Sequence, residues 1–119
     1  MNIVYSEMVA ALAKPGEKIA SELKLTGEDA HLIHMTIGIS GKSGELLDAI
    51  KKRAVYRKEL DRENMIEELG DIEFYMEGLR QGLGITRDQC IEANIAKLSK
   101  RYASLKYSDD AAQQRADKA

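Results

Sequence analysis

Between Met65 and Leu83, apolar side chains recur at alternating steps of four and three residues. The members of this row are Met65, Leu69, Ile72, Met76, Leu79 and Leu83. Such spacing gives an α-helix one apolar face and is typical of helices that pack in a bundle. The chain has one proline and no tryptophan, and its sequence contains no convincing strand alternation or hairpin signal. We therefore predict an all-α protein, a bundle of four to five helices.

Capping residues divide the chain into these helices. Thr26, Asp61 and Ser108 are good N-cap residues, and Thr86 forms a capping box with Gln89. The predicted helices cover about residues 3–13, 17–23, 27–53, 62–81 and 87–105, with a short piece after 108. The apolar face of the helix before 105 carries Ile91, Ile95, Leu98 and Tyr102.

Length and charge narrow the class of protein. The 119 residues suffice for one domain, 1–119, in which 106–119 form a polar tail or short helix. The 18 Lys and Arg nearly balance the 20 Asp and Glu, which argues against a nucleic-acid polymer or a membrane as partner. A single cysteine and no apolar run long enough to cross a bilayer favour a cytoplasmic setting. Short amphipathic helices leave apolar surface uncovered, so we expect a dimer.

Glycines and acids share one face of the predicted helix 27–53. At 100° per residue, Gly38, Gly41, Glu45 and Asp48 lie within a sector of roughly 80°, and Lys52 lies in the same sector. A helix face without side chains admits either a second helix or a ligand close to the backbone.

Two further acids lie on the helix 62–81. Glu68 and Asp71 fall at the edge of its apolar row, whereas the other acids of this helix point to solvent. If the two helices pack antiparallel, Glu45, Asp48, Glu68 and Asp71 can converge. Converging carboxylates need a cation, and oxygen ligands of this kind suit Mg²⁺, with Mn²⁺ as an alternative. The competing interpretation is that the acids form a charged, solvated helix face.

A row of polar side chains follows one face of the helix 87–105. Asn94, Lys97 and Arg101 are separated by steps of three and four residues, and Tyr102 is adjacent. Cations with an amide and a tyrosine suit a phosphate and a base or sugar, so these residues and Lys52 are predicted to bind substrate. A solvated basic face is the alternative.

Several motifs in order resemble those of one family. They are GELLDAIKK, then IEELGD followed by IEFYMEGLRQGLGIT, then NIAKLSKRY, and a closing Ala112 and Arg115. Together they cover about residues 31–115. The chain resembles the MazG-like all-α nucleoside triphosphate pyrophosphohydrolases, and most closely the short single-domain forms of bacteria and their phages.

The resemblance implies a helical dimer or tetramer, that is, a homodimer or a dimer of dimers. It also implies Mg²⁺-dependent cleavage of a nucleoside triphosphate into a monophosphate and pyrophosphate. Carried onto this chain, Glu45, Glu68 and Asp71 are the catalytic acids: they hold the metal, and one of them orients the attacking water. The resemblance also implies that Asn94, Lys97 and Arg101 lie near the nucleotide, either of the same subunit or of the partner subunit.

One position departs from the family pattern. Aligned on the GELLDAI motif, the first acid of the family's Glu-x-x-Glu falls at Lys42. A register moved by one turn restores the spacing with Glu45 and Asp48, and Asp48 is otherwise a substitute or outer ligand. Lys42 therefore introduces two alternatives to an active enzyme. One is a nucleotide-binding protein with weak or no turnover, and the other is a purely structural helical dimer.

Overall fold

The computed structural model describes residues 2–118, and all regular elements within them are helical. The elements are α1 (Tyr5–Leu12), α2 (Gly16–Glu22), α3 (Gly27–Tyr56), α4 (Arg62–Leu83), α5 (Arg87–Arg101), α6 (Asp109–Gln114) and a 3₁₀ helix (Ala116–Lys118). No β-strand occurs in residues 2–118, and the prediction of an all-α fold is confirmed.

The chain divides into two compact units, residues 1–30 and 31–119. In the first unit, α1 ends before Pro15, and α2 starts directly after it with Pro15 as its N-cap. Proline cannot continue a helix but is well suited to the start of one. Lys14, just before Pro15, forms an ion pair with Glu22, the last residue of α2. The prediction of a single domain over 1–119 stays a prediction.

The four predicted N-caps are confirmed. In each case the side-chain oxygen accepts a hydrogen bond of 3.1 Å from the backbone N–H three residues further on. The capping residues are Thr26, Asp61, Thr86 and Ser108. The Gln89 side chain also accepts from the Thr86 backbone N–H at 2.8 Å, which completes the predicted capping box. These bonds satisfy N–H groups that the helix itself leaves unpaired.

Two predicted C-termini are wrong. Helix α3 continues to Tyr56, three residues beyond the predicted end at Arg53, because neither proline nor glycine interrupts it. Helix α5 stops at Arg101 instead of Leu105. Leu105 has left-handed backbone, with φ of 57°, which is incompatible with a continuing helix.

Helices α3 and α4 pack antiparallel in the second unit. The ring of His31 donates from Nε2 to the backbone oxygen of Gly78 at 2.8 Å. Further along α3, Gly38 lies directly against the ring of Tyr75. Residue numbers rise along α3 as they fall along α4, so the helices run in opposite directions. This is the condition that brings the predicted acids of the two helices together.

Gly38 is the glycine of α3 that the pairing requires. A Cβ at Gly38 would overlap the Tyr75 ring, so Gly38→Ala is expected to destabilise the fold by roughly 1–3 kcal/mol. A Cβ at Gly41 would meet no atom within 4 Å, so the matched control Gly41→Ala is expected to stabilise by about 1 kcal/mol. Urea unfolding of both variants measures the change in the free energy of unfolding. An equal change in the two variants would contradict the close contact between Gly38 and Tyr75.

Much apolar surface remains uncovered. Among the residues whose burial is described, 2–115, 117 and 118, only Met35 is a buried apolar residue. Ile91, Ile95 and Leu98, predicted to bury one face of α5, are 41%, 59% and 41% exposed. Exposed apolar faces of this extent are typical of surfaces that bind another chain. The predicted dimer or dimer of dimers stays a prediction.

Candidate metal and nucleotide site

Three carboxylates from α3 and α4 surround the side chain of Lys42. The Lys42 Nζ lies 3.2 Å from Oε2 of Glu45 and 3.2 Å from Oδ2 of Asp71. It lies 3.8 Å from Oε2 of Glu68. Glu45 is one helical turn from Lys42, whereas Glu68 and Asp71 are neighbours across the helix pair. The structure thus brings together three of the four acids that the sequence predicted as metal ligands.

Glu68 is the most enclosed acid of this carboxylate cluster. Its side chain is 14% exposed, and its Oε2 is buried without a hydrogen-bond partner. The pKa of Glu68 is raised, first because its protonated carboxyl can share a hydrogen bond with Glu45 and second because burial disfavours its charge. The same shared bond, together with the Lys42 ammonium, lowers the pKa of Glu45. The two glutamates are therefore distinct, and Glu45 carries the negative charge more readily.

Lys42 acts as the counterion of this cluster. Hydrogen bonds to Glu45 and then to Asp71 raise the pKa of the Lys42 ammonium, so it stays protonated at neutral pH. One ammonium against three carboxylates leaves an excess of negative charge. This excess negative charge would attract a further cation.

Asp48, the fourth predicted ligand, lies outside the cluster. Its Oδ2 is paired with Nζ of Lys52 at 3.0 Å, one turn further along α3. Both side chains are more than half exposed. Lys52, predicted to bind substrate, is thus the partner of Asp48, and the two form a separate pair on the surface.

The chemistry of the cluster suits a hard divalent cation, but Lys42 stands at its centre. Carboxylate oxygens are the ligands that Mg²⁺ prefers, and a buried oxygen of Glu68 without a partner is available to one. Within residues 2–118, no group of three or more His, Cys, Asp or Glu side chains is arranged around a common metal position. The carboxylates lie at hydrogen-bonding distances from the ammonium, which are longer than the roughly 2.1 Å of an Mg–O bond. The donor set fits Mg²⁺, and binding requires the Lys42 side chain to move aside.

The predicted nucleotide-binding row lies on α5. Asn94, Lys97 and Arg101 follow one face of this helix, as the spacing indicated. In the part of the chain that the structure describes, no hydrogen bond or ion pair joins this row to the carboxylate cluster. The two arrays are therefore separate in the single chain.

Arg101 already has an acidic partner within the chain. Its guanidinium donates from Nε to Oδ1 of Asp117 at 2.9 Å, and its second nitrogen donates to Oδ2 at 3.3 Å. The Asp117 side chain is only 6% exposed. This bidentate pair raises the pKa of Arg101 and lowers the pKa of Asp117. A phosphate that used both nitrogens would have to displace Asp117.

Tyr102, predicted to contact substrate, lines a small cavity at the end of α5. The cavity measures about 320 Å³ and is bordered by Leu98, Leu105 and Tyr107 as well. The rings of Tyr102 and Tyr107 are 5.7 Å apart and tilted by 43°. An apolar cavity with two aromatic rings is suited to a flat organic group.

Sequence reasoning missed two contacts. Helical periodicity places Lys42 one turn from Glu45, but the reach of Lys42 to Glu68 and Asp71 depends on the register between α3 and α4, which periodicity does not give. It also gave Arg101 no partner within the chain. Residues 106–119 were predicted to be a polar tail or short helix, and nothing in their composition indicates that Asp117 pairs with Arg101 of α5.

The chain is all-helical and has facing carboxylates on two antiparallel helices, a class of arrangement whose oxygen ligands suit a hard divalent cation. Within that class, the family model for the MazG nucleotide pyrophosphohydrolase domain matches residues 32–105. The match covers more than half of the chain and includes the whole carboxylate cluster and the row on α5. The chain belongs to the MazG nucleotide pyrophosphohydrolase family.

No curated protein and no solved structure matches this chain significantly. Among the described helices, none is both long enough and apolar enough to cross a bilayer. The predicted cytoplasmic location stays a prediction.

Proposed function

We propose that this protein hydrolyses nucleoside triphosphates, with ribose or deoxyribose, between the α- and β-phosphates. The products are a nucleoside monophosphate and pyrophosphate, and the reaction depends on Mg²⁺ or Mn²⁺. The observation that carries the proposal is the cluster of Glu45, Glu68 and Asp71 across two antiparallel helices. Family membership supports it, because members generally use divalent metal ions and act on nucleotides.

Glu45, Glu68 and Asp71 are the residues that would hold the metal. Mg²⁺ held there would neutralise phosphate charge and help to generate the nucleophile. Glu68, the most enclosed of the three acids and the one with an unpartnered oxygen, would orient the attacking water. Glu45 and Asp71, more exposed than Glu68, orient ligands at the mouth of the site.

The nucleotide would be held by the α5 face. Lys97 provides a point charge for a phosphate, and Asn94 provides an amide that can bind a sugar or base. The tyrosine-lined cavity beside Tyr102 is suited to the base. Because α5 makes no polar contact with the carboxylate cluster of its own chain, we propose that the face is contributed to the site of a second subunit.

Pyrophosphate release tests this function. The purified full chain is incubated with a panel of NTPs and dNTPs, with Mg²⁺ and with EDTA. Mg²⁺-dependent release from at least one nucleotide, with the monophosphate as the other product, is the expected result. Release of orthophosphate instead would place the cleavage at a different anhydride bond and would contradict the proposal.

The position of Lys42 favours a second candidate function. Its Nζ lies within 4 Å of all three acids, where a metal would otherwise be held. On this alternative the protein binds a nucleotide without turnover. Thermal unfolding distinguishes the two from a purely structural role, since a ligand that binds only the folded state raises its stability. Stabilisation by a dNTP without any release of pyrophosphate would select the binding function.

Lys97→Ala is expected to weaken nucleotide binding about tenfold, because a charged hydrogen bond to phosphate is lost. Binding of Mg²⁺ alone should not change, since Lys97 does not contact the carboxylate cluster. Lys51→Ala, which removes the same charge from α3, outside both the α5 face and the carboxylate cluster, is the matched control. Calorimetric titration with a non-hydrolysable dNTP measures both. Equal weakening in the two variants would indicate only a general effect of charge.

A further inference from the structure

The turn between α3 and α4 borders a cavity of about 860 Å³. Four cationic residues line it, namely Arg53, Arg57, Lys58 and Arg62, together with the single acid Glu59. We call this the cationic cavity. It lies beyond the carboxylate cluster: Arg53 is eight residues from Glu45 along α3, a distance of roughly 12 Å.

Within residues 2–118, the four cations have no acidic partner of their own. Among the ion pairs within residues 2–118, none involves Arg53, Arg57, Lys58 or Arg62. Lys52, by contrast, is neutralised by Asp48 at 3.0 Å, although it lies next to Arg53 in the chain. Like charges around one cavity repel one another, so a bound anion would relieve the repulsion.

Helix dipoles do not account for all of this arrangement. Cations are favourable at a helix C-terminus, which explains Arg53 at the end of α3. Arg62, however, is the first residue of α4, at the positive end of that dipole. Arg57 has left-handed backbone with φ of 56°, a conformation that glycine would adopt without strain.

We propose that the cationic cavity binds the phosphoanhydride chain of a nucleotide or of free pyrophosphate without a metal ion. The guanidinium group binds phosphate through two parallel hydrogen bonds, and three arginines border this cavity. Its volume lies within the range of roughly 300–1,000 Å³ that is typical of small-molecule sites. Ile50 and Leu60 add an apolar part to its lining, which suits the uncharged portion of a nucleotide. The site is independent of the carboxylate cluster and goes beyond the proposed hydrolysis.

The test is a titration of the full chain with pyrophosphate and, in a second series, with a non-hydrolysable dNTP, both in EDTA. Arg53→Gln and Arg62→Gln are each expected to weaken binding about tenfold. The matched control Lys51→Gln removes one charge from the same end of α3, outside the cavity, and should change the affinity less than about twofold. Glu68→Gln should leave this binding unchanged, which separates the cavity from the carboxylate site.

The variant Arg57→Gly separates a loss of anion affinity from a loss of folding. Glycine relieves the left-handed backbone, so the melting temperature should stay the same or rise while anion affinity falls. Equal affinity for pyrophosphate and dNTP would show that the cavity contacts only the phosphoanhydride chain. Tighter binding of the dNTP would show that it also contacts the nucleoside. The proposal is overturned if neither ligand binds in EDTA, if Lys51→Gln weakens binding as much as Arg53→Gln, or if Glu68→Gln abolishes it.

Discussion

Glu68→Gln is expected to abolish Mg²⁺-dependent pyrophosphate release, with a loss of about a hundredfold or more, while the fold is kept. Glutamine has nearly the same shape but cannot accept a proton or carry the charge that attracts a divalent cation. Its amide is a neutral replacement for a carboxyl whose pKa is already raised by the hydrogen bond shared with Glu45 and by burial. The melting temperature should therefore change little or rise slightly.

The matched control for this variant is its neighbour. Glu67→Gln makes the same change of charge one residue earlier on α4, at an exposed position that makes no ion pair within residues 2–118. It should keep the wild-type rate. Asp71→Asn, which removes the charge of another member of the cluster, should resemble Glu68→Gln. Near-wild-type rates in both cluster variants would remove the metal role from these acids.

The local parts of the fold could be predicted because they depend on a few adjacent residues. Each N-cap requires only a side-chain oxygen and an N–H three residues away, and Thr26 and Asp61 form the bonds that their sequence positions predict. The end of α5 could not be predicted in the same way. Apolar spacing continues to Leu105, but the backbone leaves the helix at Tyr102, where no glycine or proline marks a stop.

The carboxylate cluster was partly predictable. Angular position on a helix places Glu68 at the edge of the apolar row of α4, and Asp71 follows it by one turn. Angular position was not enough to separate Glu45 from Asp48, which share a sector of α3. The register between the helices, set by the contact of Gly38 with Tyr75, separates these two acids. It brings Lys42 opposite Asp71, with Glu45 beside it. Asp48 lies outside this cluster and pairs with Lys52.

The glycines of α3 have different physical roles, although they share a spacing of three. Gly38 permits the close approach of α4, and a side chain there would collide with Tyr75. At Gly41 and Gly44 a Cβ would meet no atom within 4 Å of the described structure. These two open glycines lie on either side of Lys42 and are exposed, so neither takes part in the close approach of the helices.

Lys42→Glu is expected to lower the concentration of Mg²⁺ required for half-maximal pyrophosphate release by about tenfold. The substitution removes an ammonium that is paired with Glu45 and Asp71 and adds a fourth carboxylate at the same place. Four carboxylates without a counterion repel one another, so the variant should be less stable than the wild type in EDTA and regain stability with Mg²⁺. The gain in rate should be largest at low Mg²⁺, where the wild-type lysine competes most effectively for the acids.

Lys52→Glu provides the matched control and also tests the alternative register. It makes the same change of charge on α3 but beside Asp48, outside the cluster. Mg²⁺ titrations of pyrophosphate release and of thermal stability are run on both variants and the wild type. If Lys42→Glu changes neither curve, Lys42 does not control access of the metal. If Lys52→Glu alone tightens Mg²⁺, the working acids are Glu45 and Asp48, and the ion pairs of Lys42 with Glu68 and Asp71 serve only to hold the two helices together.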